Sequence, residues 1–275
     1  MNAGLRCVVL AALLPLVSFA EPIPRVPQGG LAMWPPATGV TQCGSRGEVY
    51  APVAGACYFP VDLDDAKGTK TVFRLRNGVR EDAAFEVVDG GFPTERIRLP
   101  NDRHLKLSKA DLARAARELE EVKKALASRT DPPGTLSIPL GPPVSPLPPG
   151  RNFGTKRIFN GEKKGPHNGI DYPVPTGTEV TAMEAGRVVV VANHFFAGGS
   201  VILDHGDGLF TMSFHLSRID VARGDEVKKG QVVGLSGATG RVSGPHLHLG
   251  VRLHGARVDP RLLLPGGRVV VLDSR

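Results

Sequence analysis

Aromatic side chains are scarce, at 5% of the 275 residues, with one Trp and three Tyr. A core for this chain must therefore come mainly from Val, Leu, Ile and Ala. Cysteine is rarer still, at three residues, and none lies in the histidine-rich second half. That position excludes a Cys/His zinc finger. No long run of single-sign charge occurs, and no nucleic-acid motif is present, so the formal charge of +7 is a weak pointer to an anionic surface such as a cell wall. The Gly-rich stretch "GLSGATGRVSG" lacks the Gly-Lys-Ser/Thr ending of a phosphate loop, which excludes nucleotide binding of that type. Beyond residue 20 no apolar run is long enough to cross a bilayer.

Gly and Pro are abundant, at 34 and 24 residues, and favour turns, short strands and linkers over long helices. Residues 1–20 read as a cleaved signal peptide. Arg6 precedes an apolar run from Cys7 to Val17, and Ser18 and Ala20 form a small-residue cleavage signal. An uncleaved anchor is the alternative. The mature chain then keeps Cys43 and Cys57, an even pair that suggests a disulfide in an exported protein. Without Arg6 the balance is 33 basic to 27 acidic residues.

Residues 21–107 form an amino-terminal β-rich domain, irregular up to about residue 47. "TVFRLRN" (71–77), "AAFEVVD" (83–89) and "ERIRLP" (95–100) alternate with the period of half-buried strands. Residues 108–128 predict one amphipathic helix. Ser108 and Asp111 can close its first turn, and Leu112, Ala115, Leu119, Val122 and Leu126 share a stripe that packs on a neighbouring domain. The proline-dense residues 129–150 cannot be helical and read as an extended connector that holds its ends apart. Residues 151–265 are strand-like runs broken by turns, "DHGDG" (204–208) among them, and predict an antiparallel β domain. Residues 266–275 are a tail.

The chemistry concentrates in residues 151–265. In "GPHLHLG", His246 and His248 stand two apart, so on a strand they face one space. In "HNGID", His167 and Asp171 are four apart on one side of an extended segment, and "FHL" adds His215 at a strand end. Imidazoles and a carboxylate suit a catalytic zinc with an open position for water, which zinc activates. Remaining imidazoles can move protons or stabilise an oxyanion. Each motif alone also fits ordinary structural histidines. His205 reads as a turn residue, and His104, His194 and His254 as surface or structural residues.

In order and spacing, "HNGID", "FHL" and "GPHLH" resemble the lysostaphin-like (LytM-type) zinc metallopeptidases, over most of residues 151–264. "FNGEKKGPHNGIDYPVPTGTEVTA", "GDEVKKGQVVGLSGATGRVSGPHLHLGV" and "VDPRLLL" extend the likeness. The preceding strands and helix resemble the amino-terminal region of exported Gram-negative members. The resemblance implies a mainly β fold with a sandwich- or barrel-like catalytic domain. It implies one Zn2+ held by His167, Asp171 and His248, with His215 and His246 catalytic. It further implies a periplasmic or envelope-associated endopeptidase acting on peptidoglycan cross-links, of D,D type. Two positions depart from the pattern: Ser213 stands where a Tyr is frequent, and Leu249 where an aromatic is frequent.

Two other readings compete. One is a non-catalytic wall-binding regulator that activates another hydrolase. The other is a biotinyl or lipoyl carrier, from the likeness of "GDEVKKGQVVG" to their hairpins. Lys228 and Lys229 lie in the wrong setting for a modified lysine. The amino-terminal region is expected either to gate the cleft or to serve as a simple spacer or wall-docking unit.

Overall fold

The second half folds around a seven-stranded antiparallel sheet whose edge carries the histidine motifs. The computed structural model describes residues 23–45, 47–98, 107–127 and 136–272. The expected signal peptide, His104, residues 128–135 and residues 273–275 lie outside the described residues.

The amino-terminal strands are β1 (Arg25–Pro27), β2 (Leu31–Trp34), β3 (Val40–Ser45), β4 (Glu48–Tyr50), β5 (Cys57–Pro60), β6 (Gly68–Arg76), β7 (Val79–Val88) and β8 (Thr94–Ile97). Helix α1 spans Lys109–Ala127. The remaining strands are β9 (Lys156–Phe159), β10 (Glu162–Pro166), β11 (Ile170–Tyr172), β12 (Glu179–Thr181), β13 (Gly186–His194), β14 (Gly198–Asp204), β15 (Leu209–Leu216), β16 (Arg218–Ile219), β17 (Glu226–Val227), β18 (Val232–Leu235), β19 (Leu247–Leu253), β20 (Ala256–Arg257) and β21 (Val270–Val271). The fold is mainly β, as the sequence predicts.

The stretch up to residue 47 is not irregular: it holds β1, β2 and β3. Its prolines and glycines stand at turns and on an edge. β1, which ends in Pro27, is the outer strand of the sheet β1-β7-β6-β3-β4, where a missing N–H costs no ladder bond. Cys43 and Cys57 are joined in a disulfide within a core that includes Trp34, Phe59, Val72 and Phe85.

The sheet order in the second half is β11-β19-β15-β14-β13-β17, with β20 paired to β19. Alternation decides the two faces. Ile170, Tyr172, Leu247, Leu249 and Val251 point into the main core with Val180 and Val233. The opposite face carries Val190, Ile202, Phe210 and Met212, against which Val122, Ala125 and Leu126 of α1 pack. The helix thus covers the β13 side of that face and leaves the β11–β19 side open.

The helix stripe differs from the sequence expectation. Leu112 and Leu119 are each 54% exposed. A polar pair takes the inward place: Arg114 Nη2 donates to the Asn193 carbonyl at 2.7 Å, and Glu118 Oε2 accepts from the Phe195 N–H at 2.8 Å. These bonds satisfy backbone groups at the β13–β14 turn, which a leucine could not do. The predicted first-turn closure is present, with the Asp111 N–H donating to Ser108 Oγ at 3.1 Å.

The connector is more than a spacer: its described part buries Leu136, Leu140 and Val144 in the main core. The Leu140 N–H donates to the Leu263 carbonyl and the Gly141 N–H to that of Met183, both at 2.7 Å. Proline keeps the segment extended, and its apolar residues make that extended chain a cover.

Strands also pass between the segments read from composition. β8 pairs in parallel with β9. β21, expected as tail, pairs in parallel with β2, because "RVVVL" supplies apolar residues that reach the amino-terminal core through Leu272. Asp62, just beyond β5, accepts from the Arg257 N–H at 2.7 Å and from Arg257 Nε at 3.0 Å. Burial opposes ionisation of Asp62, but Arg257 outweighs it and draws the pKa down to about 2. The shift is worth about 2 kcal/mol. A depressed folded-state pKa gives stability that is full above the ordinary carboxylate value and is lost as pH falls through about 2. The stability gap between the wild type and Asp62→Asn should therefore close between pH 5 and pH 2 in denaturant titrations. A gap independent of pH would remove this ion pair from the account.

Candidate metal centre

Register brings the site together. Asp171 on β11 lies directly opposite His248 on β19, and His248 lies opposite Phe214 on β15. The three side chains therefore share the open face. The Phe214 and His248 rings are parallel within 6° at 5.5 Å. His167 enters from the segment before β11, where its N–H donates to the Thr155 carbonyl at 2.9 Å. Gly169 makes this approach feasible: a Cβ there would sit 2.6 Å from His248 Nε2 and 2.4 Å from the Leu249 carbonyl.

His167 Nε2 is 2.8 Å from His248 Nδ1 and 3.1 Å from Asp171 Oδ1, and His248 Nδ1 is 2.9 Å from Asp171 Oδ1. Among the described residues this is the only group of three or more His, Cys, Asp or Glu able to share an ion. His167 Nδ1 faces the Asn152 carbonyl at 2.8 Å. That acceptor fixes the proton on Nδ1 and leaves Nε2 as a lone pair. Burial weighs against a charged Asp171, but its bonds to His167 and His248 prevail and hold the carboxyl well below the usual range. Burial likewise pushes His248 down to about 4, so its imidazole is neutral at physiological pH. An anionic oxygen and an imidazole lone pair thus meet at His248 Nδ1, whose single proton can serve only one of them. A divalent cation satisfies all three atoms, and two nitrogens with one oxygen fit zinc.

The other two predicted histidines lie beside this group. The His215 and His246 ring centroids are 4.8 Å apart, and His215 is 5.9 Å from His248. His215 Nδ1 donates to the Thr239 carbonyl at 2.8 Å, and His246 Nδ1 to that of Gly244 at 2.9 Å. Each therefore keeps a lone pair on Nε2, and that of His246 is 3.6 Å from Asp171 Oδ1. Burial, then the neighbouring His248 and His246, lower His215 to about 3. His215 has φ +65°, a costly conformation for a residue with a Cβ. It lies within a break in the β14–β15 register, between the pairs Val201–Ser213 and Gly199–Leu216, and its N–H is held by the Ala197 carbonyl at 2.8 Å.

All five predicted residues are thus in one place. Ser213 is buried and lies opposite Leu249; neither reaches the cluster as an aromatic. Sequence reasoning missed Arg157. Its Nη2 donates to Asp171 Oδ2 at 2.9 Å, so each carboxylate oxygen has its own task. The sequence signal was a cation inside the short strand "KRIF". Of the remaining histidines, His205 stands in the β14–β15 turn as read, buried between the Ala185 carbonyl and Thr211. His194 bonds Ser200, and His254 stacks on Tyr50 at 3.7 Å.

This antiparallel sheet thus carries a His/Asp/His centre suited to a catalytic metal. The model of peptidase family M23 matches residues 165–260. A crystal structure described as a peptidase M23 from Pseudomonas aeruginosa is 30% identical, with a TM-score of 0.65 over 88% of this chain and 94% of that one. The chain belongs to peptidase family M23. Among curated relatives, peptidoglycan DD-endopeptidase ShyA of Vibrio cholerae is 44% identical over 109 residues, 39% of this chain and 25% of ShyA. DD-carboxypeptidase/endopeptidase Mpg of Neisseria meningitidis is 40% identical over 94 residues, 34% of this chain and 22% of Mpg. The chain thus spans about a quarter of the length of these relatives.

Proposed function

We propose that this protein is an exported zinc endopeptidase of the cell envelope that hydrolyses D,D cross-links of bacterial peptidoglycan. The observation that carries the reading is the convergence of His167, Asp171 and His248 beside two imidazoles with free Nε2 atoms. His167, Asp171 and His248 would hold the zinc, which when bound would supply a Lewis acid and lower the pKa of its water. His246 and His215 stand beside that point to relay protons and to stabilise the oxyanion of the tetrahedral intermediate. Arg157 fixes the Asp171 carboxylate. The named activities of ShyA and Mpg support peptidoglycan as substrate and the D,D bond as target. The apolar run at residues 7–17 supports export, and no helix among the described residues is long and apolar enough to cross a membrane. The regulator reading is disfavoured because it has no use for an intact set of five.

Purified cross-linked muropeptide dimers provide the test. The zinc-loaded protein should convert them to monomers, read by mass spectrometry. Chelation should cut the rate by at least about 100-fold, and added zinc should restore it. Intact dimers in the presence of fully loaded protein would overturn the proposal.

A further inference from the structure

The loop between β18 and β19 holds both unligated histidines. Its Thr239 carbonyl accepts from His215 and its Gly244 carbonyl from His246, and the His246 N–H closes it on the Gly237 carbonyl at 3.1 Å. Between these points lies Arg241. Its N–H donates to the Phe196 carbonyl at 2.8 Å. The preceding Gly240, at φ +76°, packs so closely on the β13–β14 turn that a Cβ would be 2.5 Å from both the Gly198 nitrogen and the Phe196 carbonyl. The backbone of Arg241 is thus fixed.

Its guanidinium carbon lies 4.4 Å from the Phe196 ring centroid and 5.1 Å from that of Phe159. Phe159 is two residues along β9 from Arg157, the partner of Asp171. Phe196 precedes Ala197, whose carbonyl holds the His215 N–H. Arg241 therefore bridges the two segments that flank the centre. The rings steady the guanidinium through its π system and use none of its five N–H donors. No carboxylate pairs with Arg241 among the described residues, whereas its neighbour Arg157 has Asp171 and, at 3.9 Å, Glu95. Burial and the Arg157 charge make the cation less comfortable than in water. A preorganised, partly desolvated guanidinium with no anion is built to receive one, and its planar fork suits a carboxylate.

We infer that Arg241 forms a substrate subsite that binds a free carboxylate next to the scissile amide. The inference rests on the peptidase reading above and adds to it a residue that reads the group beside the scissile bond. In a D,D cross-link to a diamino diacid, the amine released by hydrolysis stands on a carbon that bears such a carboxylate. A neutral or amidated acceptor residue has none.

The test uses the full zinc-loaded chain and two muropeptide dimers that differ only in that group, carboxylate in one and carboxamide in the other. The wild type should cleave the carboxylate dimer on the order of 30-fold faster in kcat/KM. Arg241→Gln should abolish the preference by lowering cleavage of the carboxylate dimer. Arg241→Lys, a point charge without the fork, should keep part of it. Equal cleavage of both dimers by the wild type overturns the inference alone and needs no variant. A Gln variant that keeps the wild-type preference does the same. Cleavage of neither dimer overturns the peptidase reading and the inference with it.

Discussion

Alanine at His246 will leave the zinc content whole and slow hydrolysis by roughly 10²- to 10⁴-fold, the range for loss of a general acid–base group. Its Nε2 is 3.6 Å from Asp171 Oδ1, beside the His167, Asp171 and His248 atoms that form the group suited to an ion. His215→Ala should likewise keep the metal and lose the rate. It should also melt lower than His246→Ala: both variants give up one ring-to-carbonyl bond, but only position 215 has a positive φ, which alanine adopts less readily than histidine. Metal analysis, melting and single-turnover rates on the same preparations check this. Loss of metal together with activity, in a variant that still melts cooperatively, would move that histidine into the ligand set.

Residues 151–275 alone will not fold stably. The cut removes Leu136, Leu140 and Val144, which are almost fully buried in the main core. Each contributes about 2 kcal/mol by burial, and the sum approaches the whole stability of an ordinary domain. It also strips β8 from β9 and β2 from β21. The fragment should lack the cooperative melt of residues 21–275, and a fragment beginning at residue 136 should recover part of it. A full-temperature cooperative melt for 151–275 would refute the core role of the connector. A slow fragment is consequently no measure of wall docking, and the sequence expectation of gating needs point variants in place of truncation.

The site was the most legible part of the sequence because its donors sit in short motifs and strand geometry is local. His246 and His248 face one way because two residues make one pleat, and His167 reaches Asp171 within four residues. What joins the motifs was not legible. Nothing in "KRIF" says that Arg157 reaches Asp171, and nothing in the connector's prolines says that Leu140 is buried. Both facts depend on pairings between distant residues. The helix stripe holds at Val122 and Leu126 but not at Leu112 and Leu119, for a similar reason. Periodicity gives an apolar face, but the unsatisfied backbone of the β13–β14 turn selected Arg114 and Glu118 to face it. Early glycines and prolines hide three strands, because the same residues mark strand ends and irregular chain.

The parallel pairing of β21 with β2, and the burial of Leu272 among amino-terminal residues, have a consequence in time. A ribosome delivers β2 early and β21 far later. The first sheet group therefore stays a strand short until nearly all of the second half has been synthesised. The two halves cannot mature in sequence as beads on a string. A chain arrested midway presents an open β2 edge, a ready target for quality-control proteases.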